Sequence, residues 1–135
     1  GTPWVERRVE KKKSQVRLKP LAEFRSLLEE PGKFLLVPGE EITHRFAKAP
    51  VHMNAINLRD VIKPIDGDNV TETIRVNHRA VAEQRQRASR PMFVCLNHPN
   101  YGWGVRAEDI ALAEEVRCFE IHNGLVWVRC WLTTC

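Results

Sequence analysis

Short apolar runs alternate with helical patterns through the middle of the chain. Four apolar runs predict strands, at residues 33–42, 51–57, 91–96 and 116–121. Three stretches with apolar positions at helical spacing predict helices, at residues 20–30, 69–88 and 106–115. Because strands and helices take turns along the sequence, the pattern predicts an α/β architecture with mainly parallel strands.

Local signals mark the boundaries of the longest predicted helix. Asn69 precedes Glu72 by three residues, the spacing of a capping box, and Pro91 cannot continue a helix. Residues 43–50 lack a clear pattern and are predicted to form an irregular connection between the first two strands.

Composition indicates one globular domain flanked by a basic N-terminal segment and a C-terminal tail of different composition. The 135 residues are 43% hydrophobic, which is enough to bury a core, and no apolar run approaches the roughly 20 residues of a membrane helix. A cytoplasmic protein without membrane contact is therefore expected. Residues 1–19 form a basic arm, residues 20–124 the α/β domain, and residues 125–135 a tail that reads either as a final strand or as non-native sequence.

The net charge of +4 is concentrated in the basic arm. The simplest interpretation is a solvated segment, although such charge can also attract an acidic partner or nucleic acid. No aromatic series for stacking on bases accompanies the charge, which weakens the interpretation as a nucleic-acid site.

The four cysteines form no C-x-x-C pair, so a structural zinc knuckle is poorly supported. Cys95 and Cys118 fall in apolar runs and are predicted to be small buried hydrophobic residues. Disulfides are neither required nor excluded, and a reducing interior is the default.

Three residues at the predicted strand ends carry the side chains of a divalent-metal site. Glu41 follows the first run, His52 lies near the start of the second, and His98 directly follows the third. One carboxylate and two imidazoles suit a divalent cation and leave room for water or substrate. Each residue also has a structural interpretation, such as a solvated glutamate or a hydrogen-bonded histidine.

Other polar residues are weaker candidates for this site. Three further histidines are less well placed, namely His44, His78 and His122. Three asparagines either orient ligands or form turns, namely Asn97, Asn100 and Asn123.

Four motifs, taken in order, resemble the polymerase and histidinol phosphatase (PHP) domain of metal-dependent phosphoesterases. They are Pro38-Gly-Glu-Glu41, the strand histidine His52, Asn97-His-Pro99 and Phe119-Glu-Ile-His-Asn-Gly124. The resemblance covers roughly residues 18–124. It implies part of a distorted β/α barrel, related to the TIM barrel, that holds zinc, manganese or iron.

The resemblance also implies the chemistry. Members hydrolyse phosphate esters with metal-activated water, so the expected substrate is a small phosphate ester or a nucleotide. Glu41, His52 and His98 match family metal ligands, whereas residues 120–124 match an element that either is structural or supports the ligands, without binding metal itself. No catalytic acid or base is assigned.

Three family motifs have no match in this chain. A His-x-His motif and a Thr-Asp-His-like motif would precede His44, and an Asp-x-His motif would follow Gly124. The resemblance therefore implies a central fragment of a phosphoesterase that is inactive or incomplete by itself. The alternative is a non-catalytic α/β binding module whose basic arm docks an acidic partner or nucleic acid.

Overall fold

A computed structural model of the protein describes residues 8–10, 13–15 and 20–123. The chain divides into two compact units, residues 1–37 and 38–135. The predicted tail at residues 125–135 lies outside the described residues. In the described part, no helix combines the length and the apolar character that crossing a membrane requires.

The first unit contains two short strands and one helix. Strands β1 (Arg8–Glu10) and β2 (Lys13–Gln15) pair antiparallel within the segment predicted to be a basic arm. Helix α1 (Leu21–Leu28) lies within the predicted helix at residues 20–30. The Arg25 guanidinium donates a hydrogen bond to the Leu36 carbonyl at 2.9 Å, which ties the helix to the segment that follows it.

The second unit is a three-stranded antiparallel sheet with one long helix packed on it. Its elements are β3 (Gly39–Phe46), β4 (Ala49–Ile56), α2 (Val70–Ala88), β5 (Phe93–Leu96), a 3₁₀ turn (Tyr101–Trp103) and α3 (Ala107–Leu112). The strand order is β3-β4-β5, and both neighbouring pairs are antiparallel.

The prediction of a mainly parallel β/α barrel is therefore wrong. Strands β3 and β4 form a hairpin whose turn is Ala47 and Lys48, with Ala47 at a φ of 52°. Parallel neighbours need a crossover of a dozen or more residues, and two residues allow only a reversal of direction. The turn was missed because Ala-Lys lacks the glycine or asparagine that usually marks such hairpins.

Two strand predictions also need correction. Residues 33–38 lie outside β3, whereas residues 43–46, predicted to be irregular, belong to it. In the described part of the chain, residues 116–121 form no regular strand and contribute one isolated parallel bridge between Leu96 and Phe119. The run was apolar enough for a strand, but it finds a partner at a single position.

The structure confirms the boundaries that local signals predicted for the long helix. The Asn69 side-chain oxygen accepts a hydrogen bond from the Glu72 backbone N–H at 2.8 Å, which caps the first turn of α2. The helix ends at Ala88, where Ser89 takes a left-handed conformation with a φ of 46°. Capping and periodicity act within one helix, so they could be read without knowing the fold.

One face of the sheet packs against α2 and forms the core. On β4, residues 51, 53 and 55 are buried and alternate with less buried positions, as expected for a sheet covered on one face. The fully buried larger side chains of the core are Ile42, Val51, Met53, Ile74, Val81, Leu96 and Val105.

Two buried amides of α2 hold the loop that leads into this helix. The Asn77 side chain donates to the Ile65 carbonyl at 2.8 Å and accepts from the Ile65 N–H at 2.9 Å. Farther along α2, Gln84 accepts from the backbone N–H groups of Arg59 and Asp60. These contacts give backbone groups of the loop hydrogen-bond partners on α2 and fasten the loop to the helix.

His78 makes folding sensitive to acid. It is 7% exposed on α2, and its Nε2 has no hydrogen-bond partner among the described residues. Burial lowers the pKa of His78 from the ordinary 6.5, although Glu115 acts in the opposite direction. The unfolded chain therefore binds a proton at a higher pH than the folded chain does, and stability falls as pH drops below 6.5 towards the folded pKa.

We expect the free energy of unfolding to fall between pH 7 and pH 5, with His78 contributing up to about 1.4 kcal/mol per pH unit. His78→Gln should flatten this slope, measured by urea unfolding at several pH values. His122→Gln is the matched control because His122 is exposed. Equal slopes for wild type and His78→Gln would contradict the prediction.

Candidate metal centre

Glu41 and His52 share the face of the hairpin opposite the core. Ile42 pairs with Met53 and both are buried, so their neighbours along each strand point to the other face. Glu41 pairs with Asn54, and Thr43 pairs with His52, which places the carboxylate and the imidazole on a diagonal. Both residues lie within their strands, so the prediction that they lie at strand ends is wrong.

His98 reaches the same place from the loop after β5. The backbone N–H of Asn97 donates to the His52 carbonyl at 2.9 Å, so the loop starts beside β4. It remains against this strand because Gly104 packs onto Pro50, whose carbonyl oxygen leaves no room for a Cβ. His98 has a φ of 20°, an uncommon value that surrounding contacts must hold.

Three side-chain atoms of these residues converge. The His52 Nδ1 lies 2.9 Å from the His98 Nε2, and the Glu41 Oε1 lies 3.7 Å and 3.9 Å from these two nitrogens. The point in the plane of the three atoms that is equidistant from them lies about 2.1 Å from each, within the roughly 2.0–2.2 Å range of zinc bonds to imidazole and carboxylate. The triad thus has the donor types and the spacing of a three-ligand cation site.

Glu120 fixes the orientation of His98. Its Oε2 lies 3.1 Å from the His98 Nδ1 and accepts the His98 backbone N–H at 2.8 Å. The Asn123 side chain donates to the other carboxylate oxygen at 2.9 Å. A carboxylate on the far nitrogen of a histidine is the usual support for a metal-binding imidazole, because it holds the proton away from the ligand nitrogen.

Glu41 is supported in a similar way. The Asn97 side-chain amide donates to the Glu41 Oε1 at 3.0 Å. Glu41 remains 44% exposed, so the site opens to solvent on the carboxylate side. Asn97 was predicted either to orient a ligand or to form a turn, and it makes the orienting contact.

The contact with Glu120 favours the His98 tautomer that carries its proton on Nδ1. In that tautomer, the His98 Nε2 accepts a hydrogen bond from the His52 Nδ1–H. Burial lowers the pKa of His52, opposed by Glu41 and reinforced by His98 and Arg45. The lowered pKa favours the neutral form of His52, which is the form of imidazole that binds a metal.

The other candidate histidines lie apart from the triad. The His44 Nε2 lies 3.0 Å from the Asp66 carboxylate, His78 is buried on α2, and His122 is exposed. Tyr101 was missed by sequence reasoning. Its ring centre lies 5.8 Å from that of His52 and 5.4 Å from that of His98, so it flanks both imidazoles.

The cysteine prediction is corrected in the same region. Cys118 is exposed and Cys95 is only partly buried, so neither is a core residue. Cys95 pairs with Asn54 across β4 and β5, which puts it on the open face of the sheet with His52. Residues at the edge of a sheet that is covered on one side remain accessible even within an apolar run.

Comparison with known proteins identified no relative of this chain. No family model matches it, and searches of the curated proteins and of the solved structures give no match.

Proposed function

We propose that this chain carries the metal centre of a metal-dependent phosphoesterase, in which Glu41, His52 and His98 bind one zinc, manganese or iron ion. The observation that carries the proposal is the convergence of the three donor atoms within 4.8 Å of one another. Only the hairpin register and the loop after β5 bring them together, since 46 residues separate the two histidines in sequence.

The residues fit a divalent cation by their chemistry. Two imidazoles and a carboxylate form a donor set used by hydrolytic metal sites, and three protein ligands leave a position for water or substrate. When bound, the metal would polarise a phosphoryl oxygen and make water more acidic. Glu120 holds the His98 ring, while Asn97 holds the Glu41 carboxylate.

The phosphate-ester substrate rests on the ordered motifs that resemble the PHP domain, and one feature of the site supports it. Arg45 lies on the same strand face as Glu41 and Thr43, because alternate residues of β3 share a face. Its charge is close enough to lower the pKa of His52. A guanidinium beside the metal ligands suits the negative charge of a phosphate group.

The role of Glu120 gives a first measurable consequence. Glu120→Gln should weaken Zn²⁺ or Mn²⁺ binding about 10- to 100-fold, because the neutral amide no longer favours the His98 tautomer that binds metal. Competition against a chromophoric chelator would measure the affinity. Glu114→Gln is the matched control, since Glu114 is exposed. Equal losses in both variants would exclude a specific contribution from Glu120.

The activity test uses the full chain stripped of metal and reloaded with one ion at a time. The missing His-x-His and Asp-x-His motifs imply an incomplete site, so we expect Mn²⁺, Zn²⁺ or Fe²⁺ to support only slow hydrolysis of phosphomonoesters or phosphodiesters. An assay that detects released phosphate or alcohol measures it. Activity should disappear in His52→Ala and His98→Ala and remain in His44→Ala. If the chain binds metal through the triad and hydrolyses no ester, the proposal fails. Salt-sensitive binding of an acidic partner by all variants alike would instead favour the non-catalytic module.

A further inference from the structure

A pair of thiols lies beside the segment that carries Glu120. The sulfur atoms of Cys95 on β5 and Cys118 lie 2.6 Å apart. The two residues directly precede Leu96 and Phe119, which form the parallel bridge, so they are neighbours across the same pair of segments. Adjacent strands lie about 4.8 Å apart, within the Cα spacing of roughly 4.4–6.8 Å that disulfides span.

The two thiols lie next to the hydrogen bonds that join the Glu120 segment to β5. The backbone N–H of Leu96 donates to the Cys118 carbonyl at 2.9 Å, and the N–H of Glu120 donates to the Leu96 carbonyl at 2.8 Å. Because residues 116–121 form no regular strand, these two hydrogen bonds and the Glu120 contacts with His98 hold the segment at this edge.

From this geometry we infer that Cys95 and Cys118 form a reversible disulfide, which fastens the Glu120 segment to β5 and thereby raises the metal affinity of the triad. The second half rests on the proposed function, because it requires that Glu41, His52 and His98 bind metal. The first half is independent of metal.

A small-molecule disulfide is the oxidant, and Cys118 reacts first because it is exposed. Its thiolate attacks one sulfur of the oxidant and expels the other as a thiolate, leaving a mixed disulfide. Cys95 then loses its proton and attacks the Cys118 sulfur, expelling the second small thiol. Two protein thiols are oxidised by two electrons, the small disulfide is reduced to two thiols, and the two cysteine protons end on these products.

The environment of Cys95 suits the second step. Burial, together with the contact to Cys118, raises the pKa of the Cys95 thiol to about 12, so Cys95 is a poor nucleophile towards reagents in solution. Its contact with Cys118 makes the reaction intramolecular, and this offsets the small thiolate fraction.

The linkage can be mapped without ambiguity in the full chain. Trypsin cuts at Arg106, Arg117 and Arg129, which puts Cys95 and Cys118 in separate peptides and the other two cysteines in a third. After incubation with oxidised glutathione and blocking of free thiols, we expect a linked peptide pair spanning residues 88–106 and 118–129. A reductant should remove it, Cys118→Ser should prevent it, and Cys130→Ser should leave it intact.

Two measurements on the same samples report the consequences. Closing the loop between the two cysteines should raise the midpoint of thermal unfolding by about 5–10 °C. The dissociation constant for Mn²⁺, a cation that thiols bind weakly, should be about three- to tenfold lower for the oxidised chain because Glu120 is held in place. The electron paramagnetic resonance signal of free Mn²⁺ measures this constant.

The outcomes separate the two halves of the inference. Absence of the linked pair, under conditions that oxidise Cys130 or Cys135, would overturn the disulfide. A linked pair with equal Mn²⁺ affinity in both states would overturn its effect on the metal site. A linked pair with no binding of Mn²⁺, Zn²⁺ or Fe²⁺ in either state would confirm the disulfide and overturn the proposed function.

Discussion

His98→Ala is expected to weaken Zn²⁺ binding by at least about 100-fold, the largest effect of any substitution at the site. His98 supplies one of the three donor atoms. Its removal leaves only the His52 Nδ1 and the Glu41 Oε1, which lie 3.7 Å apart. Loss of a residue that merely orients a ligand already costs roughly 10- to 100-fold, so loss of the ligand itself costs more. Titration against a chromophoric zinc chelator at pH 7.5 measures the change.

His44→Ala provides the matched control for this experiment. His44 lies on the same hairpin and pairs with Asp66, outside the triad. Any zinc held by the cysteines is common to both variants, so the difference between them isolates the triad. Circular dichroism should show that both variants fold. Similar zinc affinities for His98→Ala and His44→Ala would exclude the triad as the metal centre.

Ile74→Ala is expected to reduce the free energy of unfolding by about 2–5 kcal/mol. Ile74 is 0% exposed and lies on the face of α2 that packs against the sheet. Its truncation removes apolar contacts and leaves a cavity between helix and sheet, which the strands on the far side cannot close without moving. A domain of this size is commonly stable by only about 5–15 kcal/mol, so a large share of the total is involved.

Urea unfolding followed at 222 nm suits this prediction, since α2 is a 19-residue helix and dominates the signal. Ile65→Ala removes the same atoms from a side chain that is 42% exposed, and should cost less than about 1 kcal/mol. The midpoint should shift for Ile74→Ala with little change in slope. Equal midpoints for the two variants would contradict the packing of α2 on the sheet.

The elements that sequence reasoning predicted well are those whose signals are local. Helix α2 has its cap at Asn69 and its apolar stripe within one stretch of chain, so neither depends on a distant partner. Strand β4 was predicted to within two residues for the same reason, with Met53 and Ala55 on one face and His52 and Asn54 on the other.

Strand direction could not be predicted in the same way. An apolar run has the same pattern in a parallel or an antiparallel pair, and the choice was made by the turn at Ala47 and Lys48. Residues 116–121 show that strand-like composition does not ensure strand pairing either. They have the composition of a strand, but no described segment pairs with them beyond the bridge at Phe119.

The sequence by itself determined the chemical identity of the candidate site. Glu41, His52 and His98 are the carboxylate and imidazoles that a divalent cation requires, and residue type is enough to recognise them. Their resemblance to ordered family motifs also indicated that residues near Glu120 support the site without binding the metal.

Only the tertiary structure decided where these groups meet. The hairpin register puts Glu41 and His52 on one face in mid-strand, the loop after β5 brings His98 to them, and Glu120 orients its ring. The contact between Cys95 and Cys118 is likewise a product of the fold. The physical reason is the separation of the interacting residues along the sequence. Helix capping involves residues that are close in sequence, and side-chain chemistry belongs to each residue alone. The distances between the candidate ligands depend instead on strand pairing, which joins residues up to 46 positions apart.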